Sequence, residues 1–340
     1  MARTSGLVGW ARRRARVLPA IAWRDKRITE LDLRVRKVKA AAGRSAAKPS
    51  FQHYLFAERR IADHLLEIDR SDRGTAVTKK LRSYSFAHSW GVDIPEIYGV
   101  WDNVEDIGWD ALPDTVVIKS QSGASSRGVL PLIRVVGGWS IVTETDILAP
   151  SDIIGRFRKQ LDDGAIAGPF IAEQFLGSVD RPALPVDVKV YCFYGEVGIV
   201  HLRSVSSHLH QLGATFRTLD RDGTDLGPVY MSDFHNPNLR TPDNFHELIA
   251  CAERLSGAIP KPFVRVDMYD VNGQVVFGEF TPRPGGTEVF PAALDERLGH
   301  LWERAQARLL DDVINGAGYT LRFGPGPREL MVGGKPYLPA

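Results

Sequence analysis

The chain has 340 residues, 44% of them apolar and 25% charged, with a formal net charge of +2. That length exceeds what one compact core holds and points to a globular protein of two or three subdomains. The composition excludes several classes: no window approaches the ~18 uninterrupted apolar residues of a membrane-spanning helix, Pro19 breaks the short apolar run that a signal peptide would need, and Cys192 and Cys251 are too isolated for a disulfide framework or a cysteine zinc site.

A reducing, cytoplasmic compartment is therefore expected, with peripheral attachment at the inner face of the membrane as an added possibility from the charge distribution. The first 48 residues hold fourteen Lys/Arg against three Asp/Glu, a net of +11, so the remainder carries −9. Such polarity suits a membrane surface, an anionic polymer or nucleic acid. The alternative is a solvated helix that packs through a stripe of Ile28, Leu31, Val35 and Val38, which recur at helical spacing.

Residues 43–50 are small and polar and read as a linker. A helical pattern follows over 51–67, and Thr78 can cap a second helix that runs through Trp90 and ends at Gly91. Residues 94–100 look extended, and strands are expected at 115–120, 129–135 and 140–143. A helix over 152–161 and a strand over 170–175 precede a Pro-rich link at Pro182 and Pro185, then strands at 187–194 and 197–203. Residues 204–244 read as irregular, 245–255 as a helix, and 294–310 as a closing helix. The tail from Gly318 is rich in Gly and Pro and lacks periodicity. Mixed helices, strands and hairpins indicate an α+β plan.

The most informative stretch is a hairpin. Val264-Arg265-Val266-Asp267 and Gly278-Glu279-Phe280-Thr281 flank Asn272-Gly273. A two-residue turn would put Asp267 and Glu279 on opposite faces, because side chains alternate along a strand. A three-residue loop with Gly273 in the left-handed position would put Arg265, Asp267 and Glu279 on one face. Two carboxylates and an arginine on one face suit Mg²⁺ and nucleotide phosphates; the plain alternative is a hairpin with solvated charges.

Two further clusters precede it. A strand delivers Lys119 into the Gly/Ser loop of residues 121–128, whose backbone N–H groups can approach phosphate oxygens. It is not a Walker loop, since no Gly-Lys-Ser/Thr leads into a helix. The second cluster is Glu173-Gln174-Phe175-Leu176, a strand end entering a Pro/Gly-rich connection, followed by Asp187 and Lys189 on one face of the next strand. No Ser-His-Asp or Cys-His set is convincing. His201, His208 and His210 are read as surface or substrate-loop histidines rather than metal ligands.

Taken in order, these clusters resemble the ATP-grasp superfamily over roughly residues 78–310, and within it the TupA-like group, which is linked with amino-acid decoration of acidic cell-surface polymers. The resemblance implies two α+β subdomains gripping ATP behind a smaller domain: 1–48 a basic helical arm, 49–112 the small domain, 113–176 the first subdomain with lid and phosphate loop, 177–317 the second with the metal and substrate site, and 318–340 a tail. It implies that Lys119 and either Lys79 or Lys80 contact phosphates, that Ser125, Ser126 and Gly128 belong to a mobile loop, and that Glu173, Gln174 and Leu176 form the adenine hinge, with Asp187 and Lys189 also at the nucleotide. Asp267 and Glu279 resemble Mg²⁺ ligands. Thr281 stands where members often carry Asn as a further metal ligand, and its hydroxyl could coordinate the ion or hold a ligated water. Arg265 and Arg283 resemble arginines that hold the phosphoryl group or the substrate carboxylate.

The implied activity is ATP-dependent carboxylate–amine ligation through an acyl phosphate, with ATP and Mg²⁺ as cofactors and a small or polymeric carboxylate and an amine as substrates. No nucleic-acid partner is expected. The rival readings are a kinase acting on a hydroxyl and a non-catalytic nucleotide- or polymer-binding module.

Overall fold

The computed structural model describes residues 27–28, 30–36, 48–68, 77–123, 127–178, 183–208, 213–285 and 289–339. The chain divides into two units, Met1–Lys48 and Pro49–Ala340. In the first, residues 27–28 and 30–36 are helical, and Ile28, Leu31 and Val35 are exposed. Val38 lies outside the described residues. No described helix is long and apolar enough to cross a membrane.

The second unit opens with α1 (Phe51–Glu67), where the Ser50 hydroxyl accepts from the His53 N–H at 3.2 Å and so satisfies a first-turn donor. Phe51 anchors the helix edge-on against Phe193, Phe263 and Trp302, with ring centroids 5.8, 5.0 and 5.9 Å away. Helix α2 (Lys80–Ser89) is buried along most of its length and stops at Gly91, whose φ of +70° suits glycine. Its N-cap is Lys79 rather than the expected Thr78, the Lys79 side chain makes no capping bond, and Gln121 Oε1 accepts from the first-turn Leu81 N–H at 3.2 Å.

Seven strands build the first sheet: β1 (Ile97–Trp101), β2 (Thr115–Ser120), β3 (Val129–Val135), β4 (Gly138–Ile141), β5 (Phe170–Glu173), β11 (Leu330–Val332) and β12 (Lys335–Tyr337), in the order β12-β11-β1-β5-β2-β3-β4. Helix α3 (Pro150–Asp162) packs Ile153 and Phe157 against Ile118, Leu132 and Phe170. The second sheet holds β6 (Asp187–Phe193), β7 (Glu196–Ser204), β8 (Thr215–Leu219), β9 (Val264–Val271) and β10 (Gln274–Thr281), in the order β10-β9-β6-β7-β8. Helix α4 (Phe245–Gly257) sets Leu248, Ala252 and Leu255 on the even-numbered apolar side chains Val188, Val190, Val264 and Val266. On the other face the odd-numbered side chains change character along the strands. Tyr191, Phe193 and Phe263 lie in an aromatic core with α1 and α5 (Ala292–Asp312), whereas Asp187, Lys189, Arg265 and Asp267 form a charged region.

Two regions read as irregular contain strands. β8 lies within 204–244, and β11 and β12 lie in the Gly/Pro tail, where β11 pairs in parallel with β1. Thus β1, from the 49–112 segment, and the tail strands complete the same sheet as β2 to β5.

The hairpin resolves its parity by a different device from the three-residue loop considered above. Asn272 and Gly273, at φ 51° and 85°, form a two-residue turn with Val271 opposite Gln274. That register would turn Glu279 away, but a bulge at Gly278 shifts it, so that Phe277 faces Met268 and Glu279 faces Asp267. Gly278 is sterically required: a Cβ there would stand 2.8 Å from the Tyr269 ring and 3.0 Å from the Asp267 carbonyl oxygen. Gly278→Ala should therefore cost ~1–3 kcal/mol of stability through overpacking, seen as a lower thermal midpoint. An unchanged midpoint would remove this steric account.

Candidate active site

The strand registers set Glu279, Asp267, Lys189, His201 and Thr218 side by side on β10, β9, β6, β7 and β8. Asp267 is 2% exposed, and Arg265 grips it with Nε at 2.6 Å from Oδ1 and an Nη2 at 2.7 Å from Oδ2. Lys189 donates to the same Oδ2 at 2.7 Å and lies 3.3 Å from Asp187, which Arg203 holds at 3.0 Å. Burial alone would raise the Asp267 pKa, but Arg265 and Lys189 overcome it and hold the carboxyl at about 2. Asp187 is likewise lowered, against its burial, by Lys189 and Arg203. Glu279 is exposed at the end of the row.

Across from this row, the first sheet presents a second cluster. Lys119 of β2 and Glu173 of β5 share a face and form an ion pair. The Tyr84 hydroxyl of α2 donates to Glu173 Oε2 at 2.7 Å and accepts from Lys119 Nζ at 3.3 Å. Lys80 is buried, while Lys79 is exposed at the N-cap, so Lys80 is the lysine that belongs to the cluster. Burial depresses the Lys80 ammonium, with Lys119 adding to the effect and Glu279 and Glu173 opposing it. Its coupling to Glu279 on one sheet and to Lys119 and Glu173 on the other joins the two clusters into one site.

The remaining expected residues fall around this centre. Gly128, at φ +67°, donates its N–H to Gln160 Oε1 at 2.8 Å and accepts from the Ser120 N–H at 2.7 Å. Ser125 and Ser126 lie outside the described residues. Gln174 and Leu176 are half-buried, and Gln174 Oε1 accepts from the Glu96 N–H at 3.3 Å. Thr281 Oγ1 accepts from Arg265 at 3.1 Å. Arg283 is half-buried, and the next carbonyl, of Pro284, accepts from Arg59 of α1.

The histidines need a correction. His201 is neither on the surface nor in a loop: it is 1% exposed within β7, because its strand is central in the second sheet. His208 is half-buried with Nε2 2.8 Å from the Val129 carbonyl, and His210 lies outside the described residues. Tyr84, Arg203, His201 and Tyr269, whose hydroxyl hydrogen-bonds with Asp187, lie at this candidate site and were missed by the motif reading. For Arg203 and His201 the signal was present, since pairing β6 with β7 sets them opposite Asp187 and Lys189, but a bulge between Tyr191 and Cys192 hides that register from simple counting.

Among the described residues no group of three or more His, Cys, Asp and Glu could hold a metal alone. Asp267 and Glu279 nevertheless face each other directly across two strands. Mg²⁺ commonly takes one or two carboxylates and completes its shell with water and substrate phosphates; of this pair Glu279 is exposed, and Asp267 brings oxygens already engaged by Arg265 and Lys189.

The TupA-like ATP-grasp family model matches residues 60–303. No curated protein matches the chain. Among solved structures, the chain is similar to VanG D-Ala:D-Ser ligase from Enterococcus faecalis (14% identity, TM-score 0.45, covering 70% of this chain and 64% of that one). It is also similar to the ATP-grasp ligase PsnB complexed with a phosphomimetic variant of its minimal precursor, Mg and ADP (13% identity, TM-score 0.40, 70% and 61%), and to D-alanine–D-alanine ligase from Bacillus anthracis (14% identity, TM-score 0.40, 75% and 74%). The chain thus spans less than two thirds of the length of the first two.

Proposed function

The chain belongs to the TupA-like ATP-grasp family, and from that membership we propose that it is an ATP-dependent carboxylate–amine ligase. The observation that carries this reading is the direct cross-strand pairing of Asp267 with Glu279, beside Arg265 and within the field of Lys80. In this proposal 113–176 and 177–317 act as the two gripping subdomains. Lys80 and Lys119 hold the phosphates of ATP under the loop of Ser125, Ser126 and Gly128. Glu173, Gln174 and Leu176 line the adenine, and Asp187 and Lys189 support the nucleotide from the second sheet.

Asp267 and Glu279, with the Thr281 hydroxyl nearby, would hold Mg²⁺, which when bound neutralises charge on the transferring phosphoryl group. The substrate carboxylate attacks the γ-phosphorus, the bond to the β,γ-bridging oxygen breaks, and ADP leaves. A neutral amine then attacks the acyl-phosphate carbonyl, and inorganic phosphate departs with the amide formed. Arg265 and Arg283 stabilise the oxyanion of that second step. No side-chain nucleophile is required.

The test is a screen of carboxylate and amine pairs for ADP release, with mass spectrometry of the products. An amide with free phosphate supports the ligase, and a phosphate ester would replace it with a kinase. Absence of turnover would leave a binding module, a reading favoured by one observation: the Thr281 hydroxyl is already engaged by Arg265.

The arm is proposed to attach the enzyme to an anionic membrane or acidic polymer at the inner face of the membrane. Each basic residue near such a surface contributes ~1 kcal/mol, weakened by salt. Deleting residues 1–48 should abolish salt-sensitive binding to acidic vesicles while ATP turnover persists. Equal vesicle binding by the truncated chain would end the attachment proposal.

A further inference from the structure

His201 has no role in the chemistry above, yet it continues the charged row from Lys189. Its Nδ1 lies 2.9 Å from Thr218 Oγ1 on β8, so the opposite ring edge, which carries Nε2, turns toward β6. That Nε2 is buried and has no hydrogen-bond partner among the described residues. The ring is stacked with Tyr230 at 4.5 Å and 26° and with Phe290 at 5.9 Å and 21°, and meets Tyr191 edge-on at 4.9 Å. Tyr230, on the irregular segment between β8 and α4, is the half-buried wall of this aromatic box. A buried nitrogen left without a partner is costly, by ~1–3 kcal/mol, and a ligand group that reaches it removes the cost.

The surroundings decide which group. Arg265 and Lys189 bear on the ring electrostatically and, after burial, keep it neutral. Both cations are themselves paired with Asp267 and Asp187, so the ring offers a hydrogen bond rather than a net charge, and the carboxylate is the one the ligase reading supplies. A hydroxyl both donates and accepts, so it satisfies Nε2 in either tautomer. Resting on the ligase reading, we propose that His201 is the specificity-determining contact of a subsite for a hydroxyl-bearing carboxylate: Nε2 bonds the substrate hydroxyl, and Tyr230 and Phe290 lie along its C–H surface.

The test uses the full chain with ¹⁵N-labelled histidine, Mg²⁺ and a non-hydrolysable ATP analogue. The probes are D-glucuronate and D-glycerate, compared with hexanoate and propionate, which lack hydroxyls, and with β-alanine, which brings an ammonium. At least one hydroxy acid should bind about tenfold tighter than its deoxy counterpart and move the His201 Nε2 resonance. Glucuronate alone would mark a sugar acid, and glycerate alone a small hydroxy acid. His201→Phe should keep the stack and analogue affinity but abolish the preference, and His201→Gln should restore part of it. Absence of a hydroxyl preference in the wild type, an unmoved resonance, or a preference that survives in His201→Phe would overturn the proposal. If His201→Phe does not fold, the wild-type resonance and His201→Gln decide. Failure of the wild type to bind the ATP analogue would sink the ligase reading instead, leaving the two failures distinguishable.

Discussion

Glu279→Gln is expected to lower kcat/KM on the order of 10²–10³-fold with no loss of thermal stability. The side chain is exposed, so the change removes one negative charge from the proposed metal pair without emptying any packed space. Asp267→Asn should lose as much activity but carries a second cost. It leaves Arg265 and Lys189 without their shared buried carboxylate, and breaking such a pair costs ~3–5 kcal/mol. The two variants therefore separate chemistry from architecture.

The acid limb gives an independent check. Asp267 titrates at about 2 in the fold against an ordinary 3.8. A depressed carboxyl contributes its stability above the unfolded value and loses it as pH falls toward the folded one. The stability gap between wild type and Asp267→Asn should accordingly be full at neutral pH and shrink between about pH 4 and pH 2. Measured as urea unfolding across that window, a constant gap would show that Asp267 is not held by its cations. Near-normal turnover in folded Glu279→Gln would end the metal assignment.

Much of this architecture was legible because its signals are local. α1 runs from Phe51 to Glu67 as its helical pattern predicts, and β2 and β3 match their apolar runs residue for residue. The missed strands have another origin. β8 is five residues long and defined by pairing with β7, while β11 and β12 are three residues each, β12 pairing with β11 and β11 with the remote β1 at Ile97. A strand that short carries no period of its own; its ladder exists only once the rest has folded.

The site divides the same way. Asp267 and Glu279 could be picked out by residue type, but the device that sets them on one face is a bulge at Gly278, which no turn rule reveals. His201 was misplaced for the converse reason. It falls within the strand expected over 197–203, but its burial comes from Lys189, Thr218, Tyr230 and Phe290, all on other elements. The choice between Lys79 and Lys80 turns on which way one helical residue points, and burial, not motif spacing, separates them.

That separation yields the sharpest contrast in the molecule. Lys80→Met should weaken ATP binding by about 10- to 100-fold, the value of charge-assisted hydrogen bonds to phosphate, while Lys79→Met should change it less than about twofold. Lys80 makes no ion pair among the described residues, and burial already disfavours its ammonium. Removing that charge while keeping an apolar stem of similar length relieves desolvation and preserves packing. Lys80→Met should thus unfold at the same temperature as wild type or higher in the absence of nucleotide, and gain less from added ATP, because ligand stabilisation follows affinity. Lys119→Met behaves oppositely in the empty protein: it strips Glu173 of its ion-pair partner and leaves a buried carboxylate with the Tyr84 hydrogen bond, so stability falls before ATP is added. Calorimetric titration with an ATP analogue and thermal unfolding with and without nucleotide read both effects. A Lys80→Met protein that binds ATP normally, or that is destabilised as much as Lys119→Met, would show Lys80 to be a structural lysine and move the phosphate site elsewhere.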